Sequence, residues 1–143
     1  MQALGMPGHL IRRLHQHSTQ IFALHIRDAG LDVTSVQFAA MDVLFAKPGI
    51  DQATIAALIA CDRATTGAVI DRLVTKGLVE RTNSQEDRRS KIVRLTEPGK
   101  QLYQSLLAIV KKVQDEMLEP LTHNERARFL ALAVKVIGNG QFS

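Results

Sequence analysis

Residues 51–96, DQATIAALIACDRATTGAVIDRLVTKGLVERTNSQEDRRSKIVRLT, place two helix starts so close together that few folds accommodate them. Asp51 offers a side-chain acceptor to the free N–H groups of a first turn, and Ile55, Leu58 and Ile59 follow at helical spacing. After a break at Ala60 and Cys61, Asp62 supplies a second cap, and the helix it opens closes at Thr75-Lys76-Gly77. Two short helices joined by so tight a turn predict a helix-turn-helix. The periodicity then changes from helical to alternating in Leu78-Val79-Glu80-Arg81-Thr82 and again in Lys91-Ile92-Val93-Arg94-Leu95. The connecting tip, residues 83–90, carries Arg88 and Arg89. A helix-turn-helix followed by a hairpin with a basic tip predicts a winged helix, and hence a DNA-binding module.

The remaining sequence reads as helical support. Residues 1–7 have no periodicity and are expected to form a loose arm. Over residues 8–28, Leu10, Ile11, Leu14, Ile21, Phe22 and Ile26 share one broad helical face that also takes in His17, Ser18 and His25, with Arg13 at its border and Gly30 as terminator. A second helix is expected from Thr34 or Ser35 to Ala46, burying Val36, Ala40, Val43 and Leu44 before Pro48-Gly49 stops it. Beyond the hairpin, Leu102, Leu106, Ile109, Val110, Val113 and Met117 form a seam at three- and four-residue steps that ends before Pro120. Thr122 and Glu125 make a capping box for a last helix, whose face holds Phe129, Leu132, Ala133, Val136 and Ile137. The predicted fold is mostly α with a small β-hairpin wing: dimerisation helix in 1–33, winged helix-turn-helix in 34–97, and C-terminal dimerisation helices in 98–143. The terminal helices exceed what a small winged helix needs, and their apolar faces are best used against a second copy. Such a homodimer also lets two recognition helices meet major-groove faces about 34 Å apart.

Composition narrows the function. A chain of 143 residues that is 45% hydrophobic and 22% charged has enough apolar side chains for a real core, and its net charge of +4 permits a polyanionic partner. The charge sharpens locally, with Arg63, Arg72, Lys76, Arg81, Arg88, Arg89, Lys91, Arg94 and Lys100 in one stretch. The single cysteine, Cys61, excludes an internal disulfide. No apolar run reaches the ~18 residues of a membrane span, and Arg12 and Arg13 interrupt any signal-like segment, so the expected setting is the cytoplasm. No Gly-rich phosphate loop, nucleophile elbow or paired metal ligands appear, which argues against an enzyme and implies no cofactor.

The whole order resembles the MarR family of transcriptional regulators. The resemblance runs from Gly8 to Ile137 and is carried by Asp71-Arg72-Leu73-Val74-Thr75-Lys76-Gly77-Leu78-Val79-Glu80-Arg81, then by Asp87-Arg88-Arg89-Ser90-Lys91 and Val93-Arg94-Leu95-Thr96-Glu97-Pro98-Gly99. It implies an obligate dimer with interleaved terminal helices, bound to operator double-stranded DNA and released by a small, often aromatic, molecule. The family's recognition helix maps to residues 62–76, where Arg63, Ala64, Thr65, Ala68 and Arg72 are the candidate DNA contacts, with Lys76 as a further phosphate candidate. Thr66 matches a family position that is usually apolar. Ala68 stands where many members carry a longer polar side chain, so shape readout by the wing is expected to matter more. There the family's Asp-x-Arg maps to Asp87 and Arg89, beside Arg88, poised for the minor groove. Ser35 and Gln37, opening the second helix, are candidate phosphate contacts. The family's effector usually lodges between the first, second and fifth helices. That implies Arg13 and His17 as polar partners of an aromatic acid or its CoA thioester, with Phe38 and Met41 as the apolar wall.

Other readings remain open at this level. The four histidines of the first helix lack a cysteine or carboxylate cluster, so a metal site is not expected. Cys61, just before the recognition helix, lies where a helix N-terminus lowers a thiol pKa, which leaves redox sensing as an alternative. A constitutive architectural DNA-binding protein without an effector is the other.

Overall fold

The computed structural model describes residues 2–86 and 91–138. In chain order these form a 3-10 turn (Gln2–Gly5), α1 (Pro7–Asp28), α2 (Ser35–Ala46), β1 (Ile50–Asp51), α3 (Gln52–Leu58), α4 (Arg63–Thr75), β2 (Val79–Asn83), β3 (Lys91–Leu95), α5 (Glu97–Met117) and α6 (His123–Ile137). The arm expected to be loose thus contains a short helical turn. Among the described residues no single helix is long and apolar enough to cross a membrane.

Two compact units emerge. One is Val33–Leu107; the other joins the N-terminal residues through Asp32 to those from Ala108 onward. The boundary falls inside α5 rather than before it, so the first half of α5 belongs with the winged module and not with a separate C-terminal part. The cause is a lock at the start of the helix. The Thr96 hydroxyl donates to the Gly77 carbonyl (2.7 Å) and accepts from the Gly99 N–H (3.1 Å), while the Thr96 N–H donates to the Leu78 carbonyl (3.0 Å). Gly99 lies so close to the Leu78 carbonyl that a Cβ would collide with that backbone oxygen. The Leu95-Thr96-x-x-Gly99 pattern is therefore the clamp that ties α5 to the end of α4.

Caps set the helix boundaries. Asp51 accepts from the Thr54 N–H (2.7 Å) and Asp62 from the Thr65 N–H (2.6 Å). Thr34 and Thr122 close full capping boxes with Gln37 and Glu125. At the other ends, α1, α3 and α4 share one stop, in which two N–H groups fold back on the last turn. For α4 these are Gly77 to Val74 and Leu78 to Leu73, both 2.9 Å; for α3 they are Ala60 to Ala57 (3.3 Å) and Cys61 to Ala56 (3.0 Å). The motif needs a left-handed residue after the cap. Gly77 supplies it at φ 74°, whereas α3 uses Ala60 at φ 57°, a strained choice for a residue with a Cβ.

The sheet has order β1-β3-β2, all antiparallel. Val79 pairs with Leu95 and Asn83 with Lys91, which fixes the hairpin register. The strand β1, Ile50–Asp51, pairs with Val93 and Ile92 and was not visible in the sequence. Two residues are too short to carry an alternation signal. The core of the winged unit is made of Ala40, Met41, Leu44, Ile55, Ile70, Leu73, Val93 and Leu106, each 1% exposed or less.

Candidate nucleic-acid interface

Helix α4 divides cleanly. Thr66, Ile70 and Leu73 are buried, and the Thr66 hydroxyl donates to the Asp62 carbonyl at 2.8 Å. Thr66 is therefore an inward, satisfied residue. Arg63, Ala64, Thr65, Ala68 and Arg72 are all exposed, and Ala64, Ala68 and Arg72 recur every four residues along one stripe. The Thr65 hydroxyl donates to the second oxygen of Asp62 (2.9 Å), which leaves it lone pairs with which to accept. Backbone and side-chain hydrogen bonds from Thr65 hold the Asp62 carboxyl below the usual carboxylate range. Small side chains in the middle and guanidinium groups near both ends suit an element that approaches a surface closely and pairs with anions at its rim.

The wing's β2 and β3 lead to a tip whose Asp87, Arg88 and Arg89 lie outside the described residues. At its base Arg81 reaches back into the helices. Its guanidinium donates to Gln52 of α3 at 3.2 Å and forms an ion pair with Asp71 of α4. In the sequence Arg81 is one of a run of bases; in the structure it is the bridge between strand and recognition helix.

The two candidates opening α2 differ. Ser35 is half-buried, whereas Gln37 is 6% exposed and its side chain is engaged. Its amide oxygen accepts from the Thr34 N–H (3.3 Å) and from the Lys76 ammonium (3.0 Å). Gln37 does not stand open to a phosphate, because closing the capping box turns its side chain inward. Lys76, at the C-cap of α4, points its ammonium to the same oxygen.

Among the effector candidates, Arg13 and His17 are exposed on α1 and belong to one unit, while Phe38 and Met41 lie on α2 in the other. Met41 is fully buried as a core residue. Phe38 and Phe45 both stack on Tyr103 of α5, at ring distances of 5.7 and 4.5 Å, and the Tyr103 hydroxyl donates to Asp42 at 2.5 Å. Burial first, then the hydrogen bond and charge of Asp42, raise the tyrosine from 10.0 to about 12. This aromatic group was missed in the sequence, where Tyr103 is hidden in an aliphatic seam. On α1, His25 meets Glu116 of α5 at 2.5 Å. No group of three or more potential metal ligands occurs among the described residues. Cys61 is half-buried beside the Asp62 cap.

Comparison with known proteins places this geometry. The sequence matches the MarR family model over residues 33–91. It is 31% identical over 134 residues to the HTH-type transcriptional repressor NicR of Pseudomonas putida, covering 94% of this chain and 84% of NicR. The PcaV transcriptional regulator of Streptomyces coelicolor, solved in complex with its natural ligand, is similar with a TM-score of 0.84 and 31% identity over 94% of each chain. BpsR of Bordetella bronchiseptica, whose DNA binding is regulated by 6-hydroxynicotinic acid, gives a TM-score of 0.87 at 26% identity, over 95% of this chain and 96% of BpsR. With six α-helices and this three-stranded wing among the described residues, these caps and these relatives, the chain belongs to the MarR family of winged helix-turn-helix transcriptional regulators.

Proposed function

We propose that the chain is a cytoplasmic, ligand-responsive repressor that binds operator DNA as a homodimer and is released by a small aromatic acid or its CoA thioester. The observation that carries the DNA reading is the division of α4, which turns Arg63, Ala64, Thr65, Ala68 and Arg72 outward over a buried Thr66, Ile70 and Leu73. In this reading α4 enters the major groove, Ser35 meets phosphate, and Arg88 and Arg89, oriented by Asp87, enter the minor groove. Two copies are favoured by the large apolar side chains left exposed on α1 (Leu10, Ile11, Leu14) and α6 (Leu130, Leu132, Ile137). The effector class is supported by the 6-hydroxynicotinic acid that regulates BpsR, itself a small aromatic acid. Arg13 and His17 are the proposed anchors for such a carboxylate, and Phe38 is the proposed apolar contact.

The test is a titration of a labelled duplex from the upstream region with a panel of aromatic acids. The expected result is saturable binding to the duplex, relieved by at least one acid, with Arg13→Ala abolishing the relief and sparing DNA affinity. Binding that no acid or thioester relieves would leave a constitutive DNA-binding protein instead.

A further inference from the structure

One buried polar group is not explained by DNA contact or by the core. Gln37 is more than nine-tenths buried, yet its amide oxygen serves two partners from different elements. The first is the Thr34 N–H, which completes the capping box of α2; the second is the ammonium of Lys76, thirty-nine residues later, at the C-cap of the recognition helix. A buried acceptor shared with a charged donor is a strong link, because breaking it strands a desolvated group. The same end of α4 is held by the Gly77 stop and by the Thr96 hydroxyl on the Gly77 carbonyl. The C-terminal turn of the recognition helix is thus tied to the first turn of α2 by one side chain.

We propose that Gln37 is a positioning residue for DNA binding: by holding Lys76 on the oxygen that also caps α2, it sets the pose of α4 without either residue touching the duplex. The inference rests on the reading of α4 as the element that enters the groove. It assigns Lys76 a role opposite to that of a phosphate-binding cation. It also makes the pose of α4 depend on the start of α2, the helix that carries Phe38 one residue further on.

The two roles of Lys76 separate by salt dependence. A cation that neutralises a phosphate contributes about one unit to the slope of log affinity against log salt, whereas a positioning residue alters affinity and leaves the slope alone. Full-length protein is titrated onto the labelled upstream duplex over a range of salt, with thermal melts of each variant as a folding control. Lys76→Met and Gln37→Met are each expected to weaken binding by about tenfold, the double variant no further than either single one, and all three to keep the wild-type slope. Gln37→Glu retains both the cap and the acceptor and is expected to bind within about threefold of wild type. Thr34→Ala removes the cap but leaves the Lys76 bond, and its affinity is expected to stay near wild type. If Gln37→Met fails to fold, exposed Lys76→Met still reads the same link. A slope lowered by one in Lys76→Met, additive single effects, or wild-type affinity in Gln37→Met would overturn the assignment. Wild-type protein that ignores the duplex would overturn the DNA reading, and this assignment with it.

Discussion

Tyr103 is the only tyrosine in the chain, so its ionisation is readable without interference. Its folded pKa is raised to about 12 by burial and by Asp42, which means the folded state holds the phenol proton more tightly than the unfolded chain does. The stability this contributes is fully present below pH ~10 and is lost as pH rises towards 12. Tyrosinate absorbance is expected to appear late, near the alkaline unfolding transition, and Asp42→Asn is expected to move it towards the ordinary value. Ordinary titration in the wild type would mean that the hydroxyl is not on Asp42. Two glycines make sharper residue-scale predictions. Gly99→Ala drives a methyl into the Leu78 carbonyl and is expected to cost on the order of 2–3 kcal/mol in urea melts, whereas Gly77→Ala costs about 1 kcal/mol for its left-handed backbone. The Gly77 stop was legible in the sequence because it acts within one turn. The need for Gly99 was not, since its obstacle lies twenty-one residues earlier in the chain.

Elements were legible where their signals are local. Asp51, Asp62, Thr34 and Thr122 each act on an N–H three residues ahead, so composition at that spacing locates the start of four helices. What joins elements was not legible. Arg81 finds Asp71 and Gln52, Gln37 finds Lys76, and Tyr103 finds Asp42 only after the helices have packed, and no spacing rule connects them. The outward set on α4 was legible because burial of Ile70 and Leu73 dictates the opposite stripe, whereas Gln37, taken for a phosphate contact, was misplaced by the capping box that turns it inward. The caps also predict a pH dependence. Hydrogen bonds from Thr54 and Thr65 lower the folded pKa of Asp51 and Asp62. Both carboxylates therefore stabilise the fold above their unfolded pKa, and that contribution fades as pH falls below about 4. Melting temperatures measured from pH 7 to 3 are expected to fall, and the Asp51→Asn, Asp62→Asn double variant to fall less steeply. An identical slope in the double variant would show that other carboxylates govern acid stability.

For the whole molecule, the division into two units fits the division of labour proposed for it. The winged unit carries the clamp of Thr96 and Gly99, the Arg81 bridge and the outward face of α4; the other holds the rest of α5 together with α1 and α6, which carry exposed leucines. Sedimentation equilibrium is expected to give a dimer, and Ile11→Glu with Leu132→Glu to shift it towards monomer, because burying a carboxylate in an apolar interface costs several kcal/mol. A wild-type monomer at micromolar concentration would remove the two-site geometry. The central claim is that α4 and the basic wing bind a duplex together, and salt titration of upstream DNA binding tests it most directly. Wild-type affinity should fall steeply and linearly with log salt, and Arg63→Ala and Arg89→Ala should each weaken binding and lower the slope by about one. Slopes and affinities unchanged in both variants would contradict it.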